Sequence, residues 1–151
     1  MALQTAYTQF QDVGIVGASA NMEEWNALTR TATATIAFGA PVQRSGDTQC
    51  APFTSGEYLG IAVAHHVLTN TNADSYGQYD NVPVADEGVF WGLAGAAIAA
   101  GAQLNWDSAN GKWTTASVAG AIYAVPGAEA DTAASGNNAK FKVRLRRIPA
   151  A

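Results

Sequence analysis

The side chains in this sequence that could do chemistry are few, and most stand in adjacent pairs. His65-His66 is the candidate for metal binding. Neighbouring residues on a strand point to opposite faces, so two such imidazoles do not readily share one ion. A zinc site would also need Cys, Asp or Glu nearby, and the run that follows, VLTNTN, supplies none. Carboxylates pair at Glu23-Glu24 and Asp86-Glu87. Acid and base catalysis on a glycoside needs carboxylates facing each other across a cleft, which sequential neighbours rarely do. Solvation of turns and edge strands is their expected role. There is no Gly-X-Ser-X-Gly elbow, and neither histidine lies in a triad context. Cys50, the single cysteine, excludes an intrachain disulfide and reads as a small buried or loop residue. Trp25, Trp91, Trp106 and Trp113 could stack on sugar rings, or anchor a core or an interface. No catalytic set, metal or cofactor is therefore expected, and a carbohydrate-binding β-module remains the alternative to a purely structural role.

The elements that would carry these residues read as strands. EEWNALTRTATATIAFG is rich in Thr and alternates weakly, and PVQRSG is short and ends in a turn. EYLGIAVAHHVL is apolar, with Leu59, Ile61 and Val63 on one face, and TNTNADSYGQYDN reads as a polar surface loop. VPVADEGVFWGL looks like two runs around a turn at Asp86-Glu87-Gly88. Asn110-Gly111, between Trp106 and Trp113, predicts a tight hairpin with positive φ values. GAIYAVPG and AKFKVRLRRI add two more strands. Eight or nine short strands argue for an all-β fold, a compact antiparallel barrel or sandwich.

The stretch DEGVFWGLAGAAIAAGAQLNW is the one place where another reading competes. Its charge-free part is about sixteen residues, short of the ~20 a membrane helix needs. A soluble helix would lose up to ~1 kcal/mol at each of Gly92, Gly95 and Gly101. The glycines match no phosphate loop. The expectation is a strand over 88–94, a compact connection over 95–101 and a second strand over 103–106.

Charge sets further limits. Only 13% of the residues are charged, and such a surface is easily desolvated against other chains. Five of the eight basic residues fall from Lys140 onward, which leaves the preceding body near −9 (three basic residues against twelve acids). KFKVRLRRI alternates, with Phe141, Val143 and Leu145 turned to a core and the basic residues outward. That pattern fits a solvated or partner-facing strand, since the acidic body would repel phosphate. No nucleic-acid or membrane partner is expected. Residues 1–20 hold scattered apolar side chains without helical or strand periodicity and read as an arm, with the β-rich domain over 21–151. The opening MALQTAYTQFQDVG has neither a basic start nor an apolar stretch, so synthesis without an export signal is expected.

Several segments, in order, resemble the capsid cement or decoration proteins of tailed bacteriophages. They are DVGIVGASANMEEWNALTRTATATIAFGAPV, then YLGIAVAHHVLTN, YGQYDNVPVADEGVFW, AAIAAGAQLNW with NGKWT, and AVPGAEADTAASGNNAKFKVRLRRI. Each piece alone is weak, and their order carries the likeness. His65-His66 and the Arg146-Arg147 extension depart from the family pattern. The resemblance implies a non-enzymatic, β-rich and commonly trimeric protein on the outer capsid surface of the virion, at threefold and quasi-threefold positions. There it would clamp major capsid subunits after expansion, having been made in the bacterial host cytoplasm. It further implies an N-terminal arm, here Ala2 to Ala20, with Tyr7, Phe10, Val13 and Ile15 as capsid anchors. Trp25, Arg144, Arg146 and Arg147 are then candidates for a subunit or capsid interface. The alternative to the cement reading is a carbohydrate-binding β-module or another virion surface or spike protein.

Overall fold

The computed structural model describes residues 14–22, 24–65 and 74–147. Eleven strands follow one another among them: β1 (Asn26–Ala32), β2 (Ile36–Ala37), β3 (Pro41–Arg44), β4 (Gln49–Pro52), β5 (Tyr58–Ala62), β6 (Ser75–Tyr76), β7 (Asn81–Leu93), β8 (Gln103–Asp107), β9 (Lys112–Thr114), β10 (Ile122–Ala130) and β11 (Lys140–Leu145). Nine of them form one sheet in the order β1-β4-β3-β5-β7-β11-β10-β8-β9, and β2 pairs with β6 alone. Because β1 also pairs with β7, the strands β1, β4, β3, β5 and β7 close into a five-stranded barrel. The pairing of β1 with β4 is parallel, and the other strand pairings are antiparallel. A compact all-β barrel or sandwich was expected, and the fold is a closed barrel with extra strands added.

Strand β7 belongs to both halves of the molecule. Its first part pairs with β1, from Thr31↔Asn81 to Asn26↔Glu87, and its second part with β11, from Leu145↔Gly88 to Lys140↔Leu93. The turn expected at Asp86-Glu87-Gly88 is therefore not a turn. Those residues lie inside the thirteen-residue strand, and Gly88 bends it with φ 122°. A side chain there would meet the Cβ of Trp25 at 2.6 Å. Glycine allows a chain to reverse, but equally allows a strand to change partners without ending.

The rest of the chain follows local chemistry. In β11, Phe141, Val143 and Leu145 are buried while the residues between them are not, as the alternation predicts. β8 and β9 form the expected hairpin, but its loop is Ser108–Gly111, and of Asn110 and Gly111 only Gly111 has positive φ, 64°. Asp107 closes that loop: its carboxylate accepts from the amides of Ala109 and Asn110 and from Asn110 Nδ2, at 3.0, 3.1 and 2.7 Å. The side-chain bond from Asn110 is the foremost reason its pKa lies below the ordinary Asp value. The segment expected to be a polar loop is only partly so. Ser75–Tyr76 forms β6, and the Tyr76 ring is buried, 5.0 Å from Phe38. Its hydroxyl donates to the Val63 carbonyl, and burial first, then Asp80, pushes it up to about 12. Residues 95–101 are the compact connection expected, held by the Ile98↔Ala134 bridge.

Candidate functional site

The last residues of the segment expected to be an arm are built into the sheet. Gly17 N donates to Trp91 O, Trp91 N to Ala18 O and Ala20 N to Val89 O, at 2.8, 2.9 and 2.9 Å. Ala64 N donates to Gly17 O from the other side, at 2.9 Å. Residues 17–20 thus extend the ladder beside β7 rather than leave the body. Glycine makes this possible: a side chain at Gly14 would collide with the Trp91 indole at 2.0 Å, and one at Gly17 with the Gly39 amide at 2.6 Å. Of the four expected anchors, Ile15 is 40% exposed. Tyr7, Phe10 and Val13 lie outside the described residues. Ile15 and Val16 border an apolar cavity of about 420 Å³ whose walls include Phe38, Leu93, Trp106 and Trp113.

The basic C-terminal strand is not a bare cationic patch. Arg144 pairs with Asp131 at 2.9 Å, Arg146 with Glu129 at 2.6 Å and Arg147 with Asp86 at 3.0 Å. Lys142 sits 5.6 Å over the Trp91 ring. The acidic body and the basic strand that looked segregated in sequence neutralise each other in the fold. Arg146 and Arg147 still have side chains 62% and 55% exposed, so a partner can reach them.

The tryptophans separate into two kinds. Trp106 and Trp113 are buried cross-strand partners with ring centroids 5.2 Å apart. Trp91 is partly covered by Gly14 and Lys142. Trp25 is 45% exposed and edge-on to Phe90 at 5.9 Å. A flat platform of several indoles for a sugar is not what these residues make.

Two smaller cavities meet around Tyr58. One, of about 230 Å³, is walled by four of the five barrel strands, including Leu28 and Arg30 of β1 and Arg44 of β3. The other, of about 310 Å³, includes Glu57, Pro126, Arg146 and Arg147. Tyr58, Leu59 and Asp86 line both. Part of the Tyr58 side chain reaches the surface, but its hydroxyl is fully enclosed and has no hydrogen-bond partner. Burial, and next the Asp86 charge, raises its pKa above the ordinary tyrosine value. Arg30 and Arg44 could not be singled out in the sequence, because only barrel closure brings them together.

The groups first considered for chemistry do not assemble. His65 is exposed and follows the end of β5, and His66 and Glu23 lie outside the described residues. Among the described residues no three His, Cys, Asp or Glu come close enough to hold a metal ion. Cys50 is buried, and that burial pushes its thiol up, against a smaller opposite pull from Arg30.

A profile of phage structural cement proteins (E217 gp24/Pam3 gp6) matches residues 3–146. The chain belongs to this family. It is a non-enzymatic structural protein of the phage virion. A chain in the structure of the capsid of Myoviridae phage XM1 shares its fold, with a TM-score of 0.73. The likeness covers 99% of this chain and 100% of that one at 18% identity, and at that identity it speaks of fold alone. Comparison with curated proteins gives no match.

Proposed function

We propose that this cement protein binds the outer surface of the major capsid lattice as a homotrimer at threefold and quasi-threefold positions, and so stabilises the expanded head. The observation that carries the reading is the family match over residues 3–146, which takes in nearly all of the arm as well as the β domain. The strapped base of the arm supports it. Residues 17–20 are fixed to β7, so a segment preceding them is tethered at a defined point, and extended chain reaches up to roughly 3.5 Å per residue. Tyr7, Phe10 and Val13 are the proposed anchors on that reach. Three arms on one trimer would combine shallow contacts through effective concentration. Preference for the expanded lattice then stabilises it by mass action.

The test is co-sedimentation with expanded capsids lacking this protein. Deletion of residues 1–13, which spares the strapped segment, should reduce binding at least tenfold while thermal unfolding is unchanged. Equal binding by the truncated and intact chains would remove the arm from the reading. Sedimentation velocity of the isolated protein, and of protein released from capsids, tests the trimer.

A further inference from the structure

We infer that the groove formed by the two cavities around Tyr58 is a docking site for an acidic, extended segment of the capsid lattice; this rests on the capsid-binding reading above. Charge is the first reason. Arg30, Arg44, Arg146 and Arg147 line the groove against Glu57 and Asp86, which gathers half of the eight basic residues of a chain with net charge −4. Strand closure forces two of these cations together. Arg30 and Arg44 come from β1 and β3, yet both donate to the same Asp47 carbonyl oxygen, at 2.7 and 3.3 Å. Like charges held on one acceptor repel, and an incoming carboxylate relieves the repulsion. Their geometry is already set: Arg44 is held by Glu57 at 2.7 Å and Arg147 by Asp86 at 3.0 Å. A guanidinium has five N–H donors, so one such pair leaves donors for a second carboxylate.

The second reason is Tyr58. An enclosed hydroxyl without a partner costs stability, and native structures rarely keep one without use. The Tyr58 side chain lines both cavities while its hydroxyl lies beneath their surface, so an acceptor in the groove satisfies it only by displacing the side chains that cover it. Leu28, 59% exposed, with Leu59 and Pro126, offers apolar contact for side chains between the acids. The occupant is not a second copy in twofold contact, because that would set these arginines against themselves.

Co-sedimentation with expanded capsids tests the groove, comparing the intact chain with Arg30→Gln/Arg147→Gln and with Tyr58→Phe. The double variant should bind at least tenfold more weakly, and the intact chain should lose affinity as salt rises. Tyr58→Phe should bind severalfold more weakly yet unfold at the same or a higher temperature, the opposite of what a merely structural hydroxyl would give. If the intact chain binds and both variants bind equally well, the groove is not the site while capsid binding stands. If the intact chain does not bind capsids, both the capsid reading and this inference fall. A change in oligomeric state with capsid binding intact would assign the groove to a second copy and overturn the proposal.

Discussion

The two halves of the molecule share strand β7 but are held together by different means. The barrel strands bury small side chains, among them Val42, Val82, Val84, Ala32 and Cys50, and they close their ladder on themselves. The larger Phe38 and Phe53 lie outside those strands, and Tyr76, packed on Phe38, lies on β6. The other half packs Phe90, Trp106, Trp113 and Phe141 and ends at β9, where only an Ala94↔Trp113 bridge returns toward β7. Closure lets a sheet do with little side-chain bulk, because every strand has two partners. The open half compensates with aromatic area, which contributes more per residue. Their outer surfaces differ too. Arg144 of the open half is held by Asp131, whereas in the barrel half Arg30 and Arg44 share the Asp47 carbonyl, with Arg44 held by Glu57 as well.

This contrast can be broken by mutation. Trp113→Ala should have the largest effect, about 3–5 kcal/mol in denaturant unfolding, because it removes a fully buried indole from the half that depends on aromatic bulk. Gly88→Val follows, at about 3 kcal/mol, from a positive φ and the collision with Trp25. Its informative readout is hydrogen exchange: protection should fall in β1 and β11 together, and loss in β11 alone would show that the halves unfold separately. Val42→Ala in the barrel should cost less, about 2 kcal/mol. Tyr76→Phe should cost about 1 kcal/mol by leaving the Val63 carbonyl unpaired, whereas Tyr58→Phe should cost nothing, so the two hydroxyls are distinguished by sign.

The smallest effect expected is at Asp107. In the fold its pKa lies below the ordinary Asp value, so its contribution is present above that ordinary value and is lost as pH falls through the folded one. Amide protection at Ala109 and Asn110 should decline over that acid range, and Asp107→Asn should abolish the pH dependence there.

Much of this architecture was legible from local pattern. The alternation of Phe141, Val143 and Leu145 named a half-buried strand, and Asn110-Gly111 named a hairpin. The hairpin loop came out longer because the Asp107 carboxylate holds Asn110 in an ordinary conformation, leaving Gly111 alone to take the positive φ. Gly88 misled for a physical reason: a residue without a side chain marks a reversal or a bend equally, and only the partners β1 and β11 decide. Tyr76 was hidden inside a polar run, since two strand residues are too few to show a period. The interaction surface was the least legible. Arg146 and Arg147 stood out as a basic run, but Arg30, Arg44 and Tyr58 reach the same groove from three different strands. No spacing along the chain records that meeting.

The shared strand also sets an order of events during synthesis. Everything the barrel needs, β1 through the first part of β7, has been made once the ribosome passes Glu87. The second part of β7 then waits for β11, about fifty residues later, before its other edge is paired. In that interval a nascent chain carries a finished barrel with an apolar strand, Val89-Phe90-Trp91, trailing from it. Residues 17–20, already made, bond to that same stretch along one edge. The base of the arm is thus positioned to shield the growing chain from self-association before it ever meets a capsid.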